Sequence, residues 1–371
     1  MGDAVQVIAP EGLDDPSRPS GGNRYDRRVI EGLRTAGWQV HESLVAGTWP
    51  YPSADARRSL ATALDAYGLD VPVLIDGMIA CGAADLVISA APRRAVTVIA
   101  HMPFGPVDSS LAEGEAEVMS HARRVVVTSD WTSRSLRSAY GVAAEQIVIA
   151  PPGVDLGPVS APSVDGTRLL CVAAVTPAKG YRTLAAALGT LIDADWACTC
   201  AGSLDVDAGF SAEFVRELAA AGLADRATLR GALGAAELAA CYASADLVVL
   251  PSLGESYGMV VTEALARGIP VVVSDIGGTA EALGVAADGA RPGMLMPPGD
   301  AAALASCLRR WLRDSDLRSR LRRAARSRRD SLLGWQVTAE SVAGALRSVG
   351  PAGSLRNMVS LVAPARIRRH E

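Results

Sequence analysis

The chain has 371 residues, of which 49% are hydrophobic and 20% charged, with a formal net charge of −4 and a pI near 5.7. That balance excludes a disordered chain and supplies apolar material for two buried cores, so two domains are expected. A mildly acidic chain is also ill suited to non-specific nucleic-acid binding.

The N-terminal residues MGDAVQVIAP read as a strand over 5–9, not as a charged segment followed by an apolar core, so no signal peptide is expected. A Pro/Gly/Ser-rich loop runs to Gly22, and a helix over about 23–36 stops at Gly37. Apolar runs then predict strands over 73–75, 96–100, 125–128 and 146–150. The segment GPVSAPSVDGT, residues 157–167, has the composition of a linker. Beyond it the alternation restarts, with strands over 168–173, 197–201, 227–230, 247–251 and 270–274. Helices over 181–191, 212–221, 235–242 and 258–266 lie between them. Strands alternating with helices specify parallel α/β sheets, and the restart specifies two Rossmann-like domains facing each other across a cleft. A ligand belongs in that cleft, at the carboxyl ends of the strands.

After a helix over 300–313 comes an arginine-dense segment, 318–329, and Arg366, Arg368 and Arg369 follow near the end. A solvated helix face is one reading of such a run. Peripheral contact with an anionic surface, such as a membrane leaflet, is the other. No run of 18 apolar residues occurs, because Asp76 and Asp85 interrupt the best candidate. A cytoplasmic protein without a transmembrane span is therefore expected. Cys81, Cys171, Cys198, Cys200, Cys241 and Cys307 form no CxxC pair, and His41, His101, His121 and His370 make no ligand cluster with them. They read as buried small hydrophobes, and no metal site is expected.

The segment LVVLPSLGESYGMVVTEALARGIPVVVSDIGG, residues 247–278, carries the chemistry. A buried strand ends at Pro251, a turn carries Glu255, and a helix opens near Gly258. The amides of Gly258, Met259 and Val260 are free at that helix start and suit a phosphate. Glu263 lies eight residues after Glu255, roughly 12 Å along a helix axis if the spacing were wholly helical. That is about the span from the sugar to the ribose of a nucleoside diphosphate sugar. Lys179 is the single lysine among 36 basic residues. A coding bias toward arginine leaves that one exception to be explained by chemistry.

This segment resembles the E-x7-E motif of retaining nucleotide-sugar glycosyltransferases of the GT-B fold, family 4 (group 1) type. VAAVTPAKGYRTL (172–184), VVVTSDWTSRSL (125–136), APPGVD (150–155), AHMP (100–103) and SGGNRYDRRVIEGLRTAGWQV (20–40) match that family in order and spacing. The resemblance implies that Glu263 binds the ribose hydroxyls and that Glu255 grips the donor sugar. It also places Lys179 on the diphosphate and has His101 face the sugar from the first domain. Gly21 and Gly22 allow close approach to phosphate or acceptor. Asn23 and Asp76 are acceptor-side candidates. The family usually carries an arginine five residues before the lysine, where this chain has Ala174. Arg182, one helical turn beyond Lys179, is then the expected substitute.

The implied activity is transfer of a hexose or hexose derivative from a nucleoside diphosphate sugar to an acceptor hydroxyl, with retention. No metal or resident cofactor is implied, since Lys179 and amides can offset the leaving group's charge and no Asp-x-Asp motif is present. An acceptor-side domain over 1–157 and a nucleotide-sugar domain over 166–334 follow, with 335–371 packing back on the first. An epimerase, a free-sugar synthase and a non-catalytic sugar-nucleotide-binding protein share this fold and remain alternatives. A nicotinamide dehydrogenase is excluded for want of a G-x-G-x-x-G turn with its acidic residue.

Overall fold

The computed structural model describes residues 3–15 and 20–349. Its first half is a six-stranded sheet of β1 (Ala4–Pro10), β2 (Gln39–Val45), β3 (Val73–Asp76), β4 (Val96–Ala100), β5 (Arg124–Val127) and β6 (Ile147–Ile149). The second half contains β7 (Arg168–Val172), β8 (Ala197–Ala201), β9 (Ala227–Leu229), β10 (Leu247–Leu250), β11 (Val271–Ser274) and β12 (Gly293–Met296). The strand orders are β2-β1-β3-β4-β5-β6 and β12-β11-β10-β7-β8-β9, and neighbouring strands run parallel. Helices cover both faces, which is why VLID, LVVL and VVVS are buried along their whole length. Strand order reverses between β1 and β3 in one sheet and between β7 and β10 in the other. The crevices at these reversals open toward a common cleft.

Two strands escaped sequence reading for physical reasons. β2 (QVHESLV) is a largely solvated edge strand, so its polar residues hide the apolar pattern. β12 (GMLM) is short and begins with glycine. Helix starts also moved: the helix expected from 212 opens at Ala208, because Asp207 accepts the Phe210 amide at 2.9 Å.

The helix Trp335–Val349 crosses back to the first sheet and packs on the helix Gly21–Thr35. Trp335, Val342, Ala343 and Leu346 share one apolar cluster with Val29, Ile30 and Leu33. The crossing is close, since a methyl placed on Gly32 would lie 2.4 Å from the Ala339 side chain. Residues 350–371, including Arg366, Arg368 and Arg369, lie outside the described residues. The outgoing and returning chains run side by side, with the Val154 amide donating to the Leu333 carbonyl at 2.9 Å.

The arginine-dense helix Ser315–Arg329 does not present a uniform charged face. Arg318 donates to the Trp311 carbonyl at 2.9 Å, and Arg322 to that of Ser163 at 3.0 Å. Arg328 reaches the Leu283 carbonyl at 3.2 Å, while Arg329 holds those of Ala266 and Gly157 at 2.9 and 3.1 Å. These guanidiniums staple the helix to the domain, so neither a solvated face nor an anionic-surface contact describes the whole run; Arg320, Arg323 and Arg326 are the arginines of the helix left exposed. Among the described residues, no helix is long and apolar enough to cross a membrane.

Candidate active site

The turn that carries Glu255 is fixed by two glycines outside it. Gly180 (φ +69°) and Gly277 (φ +61°) adopt left-handed backbone conformations against the turn. A Cβ on either would lie 1.9 Å from the Pro251 carbonyl oxygen or 1.5 Å from that of Glu255. The Leu253 amide also donates to the Ala178 carbonyl at 2.8 Å. This clamp brings the single-turn segment Pro177–Lys179, just beyond β7, beside the segment after β10. The Glu255 Oε1 consequently accepts from Lys179 Nζ at 2.6 Å and from Ser252 Oγ at 2.9 Å.

Glu263 lies in the helix Met259–Leu265 with its side chain only 8% exposed. Its Oε2 accepts from the Tyr242 hydroxyl at 2.8 Å, and its Oε1 accepts from the guanidinium of Arg24. Burial, reinforced by the Glu263 charge, pushes the Tyr242 hydroxyl well above its ordinary pKa, so it serves as a donor. Arg24 belongs to the first domain, so this ion pair spans the cleft.

His101 follows β4, and its Nε2 stands 2.9 Å from Asp26 and 3.4 Å from Asp76. Burial alone would lower its pKa, but the two carboxylates outweigh burial and push it up to about 10. Asp26 is raised to about 6, because burial exceeds the pull of His101. Asp76 is held below its usual range: the imidazole and the Ile79 and Met78 amides overcome its burial. Both carboxylates thus favour the imidazolium form of His101, whose ring is braced edge-on by Tyr25 at 5.3 Å. The three ligand-type atoms lie within 4.8 Å of one another, with the ring nitrogen bridging the two acids.

Arg24, His101, Lys179, Glu255 and Glu263 meet on one cavity of about 490 Å³ between the domains, a size suited to a small-molecule ligand. Gly21, Gly22, Arg24 and His101 line it from the first domain. Lys179, Glu255, Gly258, Met259, Val260 and Glu263 line it from the second. Ala174 borders the same space, and Val206, Ala232, Leu233 and Leu238 make one part of the wall apolar. Beside the cavity, the Glu281 carboxylate accepts the Asp130 and Trp131 amides at 2.8 Å each, joining the second domain to the first.

Three expected residues are not among those that line the cavity. Arg182 points away from the cavity lining, its guanidinium held by Glu217 and Glu213 at 2.9 and 2.8 Å and lying over Phe210. It does not substitute for an arginine at position 174. Asn23 turns its side-chain amide to the Gly12 carbonyl at 3.1 Å. Asp76 is buried behind His101 and caps the helix Gly77–Gly82, accepting from Met78 and Ile79. Its observed contacts are with the histidine and the helix.

Sequence reasoning passed over Arg24, Asp26, Tyr242 and Ser252. For Asp26 a signal existed: it is an acidic residue inside the buried stripe Tyr25, Val29, Ile30, Leu33, and such a residue needs a cationic neighbour.

Two parallel α/β domains with a ligand-sized cleft at their strand ends constitute the GT-B arrangement. Residues 159–328 match the family described as Glycosyl transferases group 1, and residues 1–157 match Glycosyltransferase Family 4. The chain belongs to this group 1, GT-B glycosyltransferase family. It is 35% identical over 244 residues to a D-inositol 3-phosphate glycosyltransferase of Paenarthrobacter aurescens, covering 61% of this chain and 58% of that protein. A counterpart from Arthrobacter sp. (strain FB24) is 32% identical, over 61% of this chain and 56% of that protein. The match thus spans under three-fifths of the length of these curated relatives. Among solved structures, a sucrose-phosphate synthase from Thermosynechococcus elongatus shares the fold with a TM-score of 0.78 and 23% identity. That match covers 94% of this chain and 99% of the other. Anabaena HepE in complex with UDP-glucose gives a TM-score of 0.75 at 18% identity, over 92% and 99% of the two chains.

Proposed function

We propose that the protein transfers a hexosyl group from a nucleoside diphosphate sugar to an acceptor hydroxyl, with retention at the anomeric carbon and without a metal ion. The observation that carries this reading is the meeting of Glu255, Glu263, Lys179 and His101, from three separate segments, on one cavity. Glu263 takes the ribose hydroxyls and Glu255 those of the transferred sugar. The apolar wall at Val206, Ala232 and Leu233 receives the base. The bond from the anomeric carbon to the β-phosphate oxygen breaks, and the acceptor oxygen bonds on the same face. The acceptor's proton passes to the leaving phosphate. Lys179 offsets the charge that grows on that phosphate, and His101, held charged by its two acids, donates toward the sugar.

A thermal-shift panel of nucleotide sugars tests the donor assignment, because a ligand that binds only the folded state raises its stability. Turnover is then measured with D-inositol 3-phosphate as the first acceptor, following the relatives' names, in buffer containing EDTA. Proton NMR of the product's anomeric centre reads the stereochemistry. Stabilisation by one nucleotide sugar, EDTA-insensitive transfer and a retained configuration are expected. Absence of stabilisation by every nucleotide sugar would overturn the reading.

A further inference from the structure

The cavity lining contains two long cationic side chains, Arg24 and Lys179, and two carboxylates, Glu255 and Glu263. Each cation is already matched: Lys179 to Glu255 at 2.6 Å, and Arg24 to Glu263. His101 is likewise compensated by Asp26 and Asp76. A cavity balanced in this way offers little net attraction to a diphosphate until some of its pairs change partners.

The Arg24–Glu263 pair is built for such a change. Its carboxylate is fixed, 8% exposed and held by Tyr242, whereas the Arg24 side chain is 41% exposed. The other ionic neighbour of Arg24 is Asp155 at 3.9 Å, too long for a strong bond. Arg94 and Arg318, by contrast, are anchored by several backbone carbonyls. Arg24 is therefore a cation on the cavity wall with one firm partner, and that partner is the residue read above as the ribose ligand.

We infer that Arg24 is a diphosphate ligand supplied by the first domain, and that donor binding is an exchange of partners. Glu263 gives Oε1 to the ribose hydroxyls, and Arg24 carries its guanidinium to the phosphate oxygens. This rests on the assignment of Glu263 to the ribose. The hydroxyls keep the buried carboxylate satisfied as the cation leaves. The planar fork of arginine matches two phosphate oxygens at once. Because the two residues belong to different domains, the exchange also makes the first domain sense the charge of the ligand.

Calorimetry on the full chain tests this with UDP, GDP and ADP and with their nucleosides uridine, guanosine and adenosine. For the diphosphate that binds the wild type, Arg24→Ala and Arg24→Gln should each weaken affinity tenfold or more. Affinity for the corresponding nucleoside should stay within threefold or improve. Arg24→Gln keeps a hydrogen bond to Glu263 without the charge, so a matching loss there separates phosphate binding from collapse around the carboxylate. Unchanged or tighter diphosphate binding in both variants would make Arg24 only a latch and overturn the inference. Equal losses for diphosphate and nucleoside would reduce it to a support for Glu263 and overturn it as well. A wild-type chain that bound no diphosphate would fail earlier, refuting the nucleotide-sugar reading and this inference with it.

Discussion

Replacing Lys179 by alanine separates the chemistry of the cleft from its stability. The ammonium lies 2.6 Å from Glu255, and its side chain is 31% exposed. For folding, an ion pair this open to solvent is worth about 1 kcal/mol or less, and the remaining hydroxyl of Ser252 still satisfies Glu255. For the reaction the same ammonium faces a leaving diphosphate whose charge increases in the transition state. At an effective dielectric constant of about 20, opposite charges about 4 Å apart interact by about 4 kcal/mol. Partial solvation brings that nearer 3 kcal/mol, or on the order of a hundredfold in rate. Lys179→Ala is therefore expected to melt close to the wild type while its kcat/KM, followed by release of nucleoside diphosphate, falls about a hundredfold. Lys179→Arg should recover part of the loss, because its fork is larger than the ammonium it replaces. Near-normal turnover by Lys179→Ala would place the diphosphate elsewhere, and a loss matched by a collapse in melting temperature would assign Lys179 to the fold.

Glu263→Ala should weaken binding of the free nucleoside diphosphate more than Glu255→Ala, which should chiefly lower turnover; equal losses of affinity by calorimetry would refute this division. Gly277→Ala puts a methyl 1.5 Å from the Glu255 carbonyl oxygen in a left-handed conformation. It should cost roughly 2–4 kcal/mol in denaturant unfolding, and a variant as stable as the wild type would show that the clamp is not rigid. The folded-state pKa of His101, about 10, lies above its ordinary 6.5. Its stabilising contribution is complete below about pH 6.5 and is lost as pH rises through about 10. The melting difference between wild type and His101→Gln should therefore shrink from pH 7 to pH 10, and a difference that held or grew would contradict the charged triad.

Much of the fold was legible because buried parallel strands write themselves as unbroken apolar runs, as in LVVL and VVVS. β2 was not, because one solvated edge leaves histidine, glutamate and serine among its residues. At the site, Glu255 and Glu263 were legible through a strand, a turn and a helix that are contiguous in the chain. Arg182 follows Lys179 in sequence, but Glu213 and Glu217 from the next helix decide where its guanidinium goes. Local spacing does not encode that choice. Arg24 was hidden for a related reason: its main partner lies 239 residues away, in the other domain.

The return of the helix Trp335–Val349 to the first domain also sets an order of assembly during synthesis. The second sheet and the buried clusters on its two faces are closed by residues from Arg168 to Ala325, so that half can complete its packing as one continuous stretch leaving the ribosome. The first half cannot, since Val29, Ile30 and Leu33 share their cluster with Val342, Ala343 and Leu346. At about 5–20 residues per second, those early side chains wait on the order of tens of seconds for their cover. A chain stopped at Gly334 would still contain Lys179, Glu255 and Glu263, yet it would leave the apolar stripe of its first helix open to neighbouring chains. Its failure would begin as self-association at the N-terminal half, far from the residues that bear the chemistry.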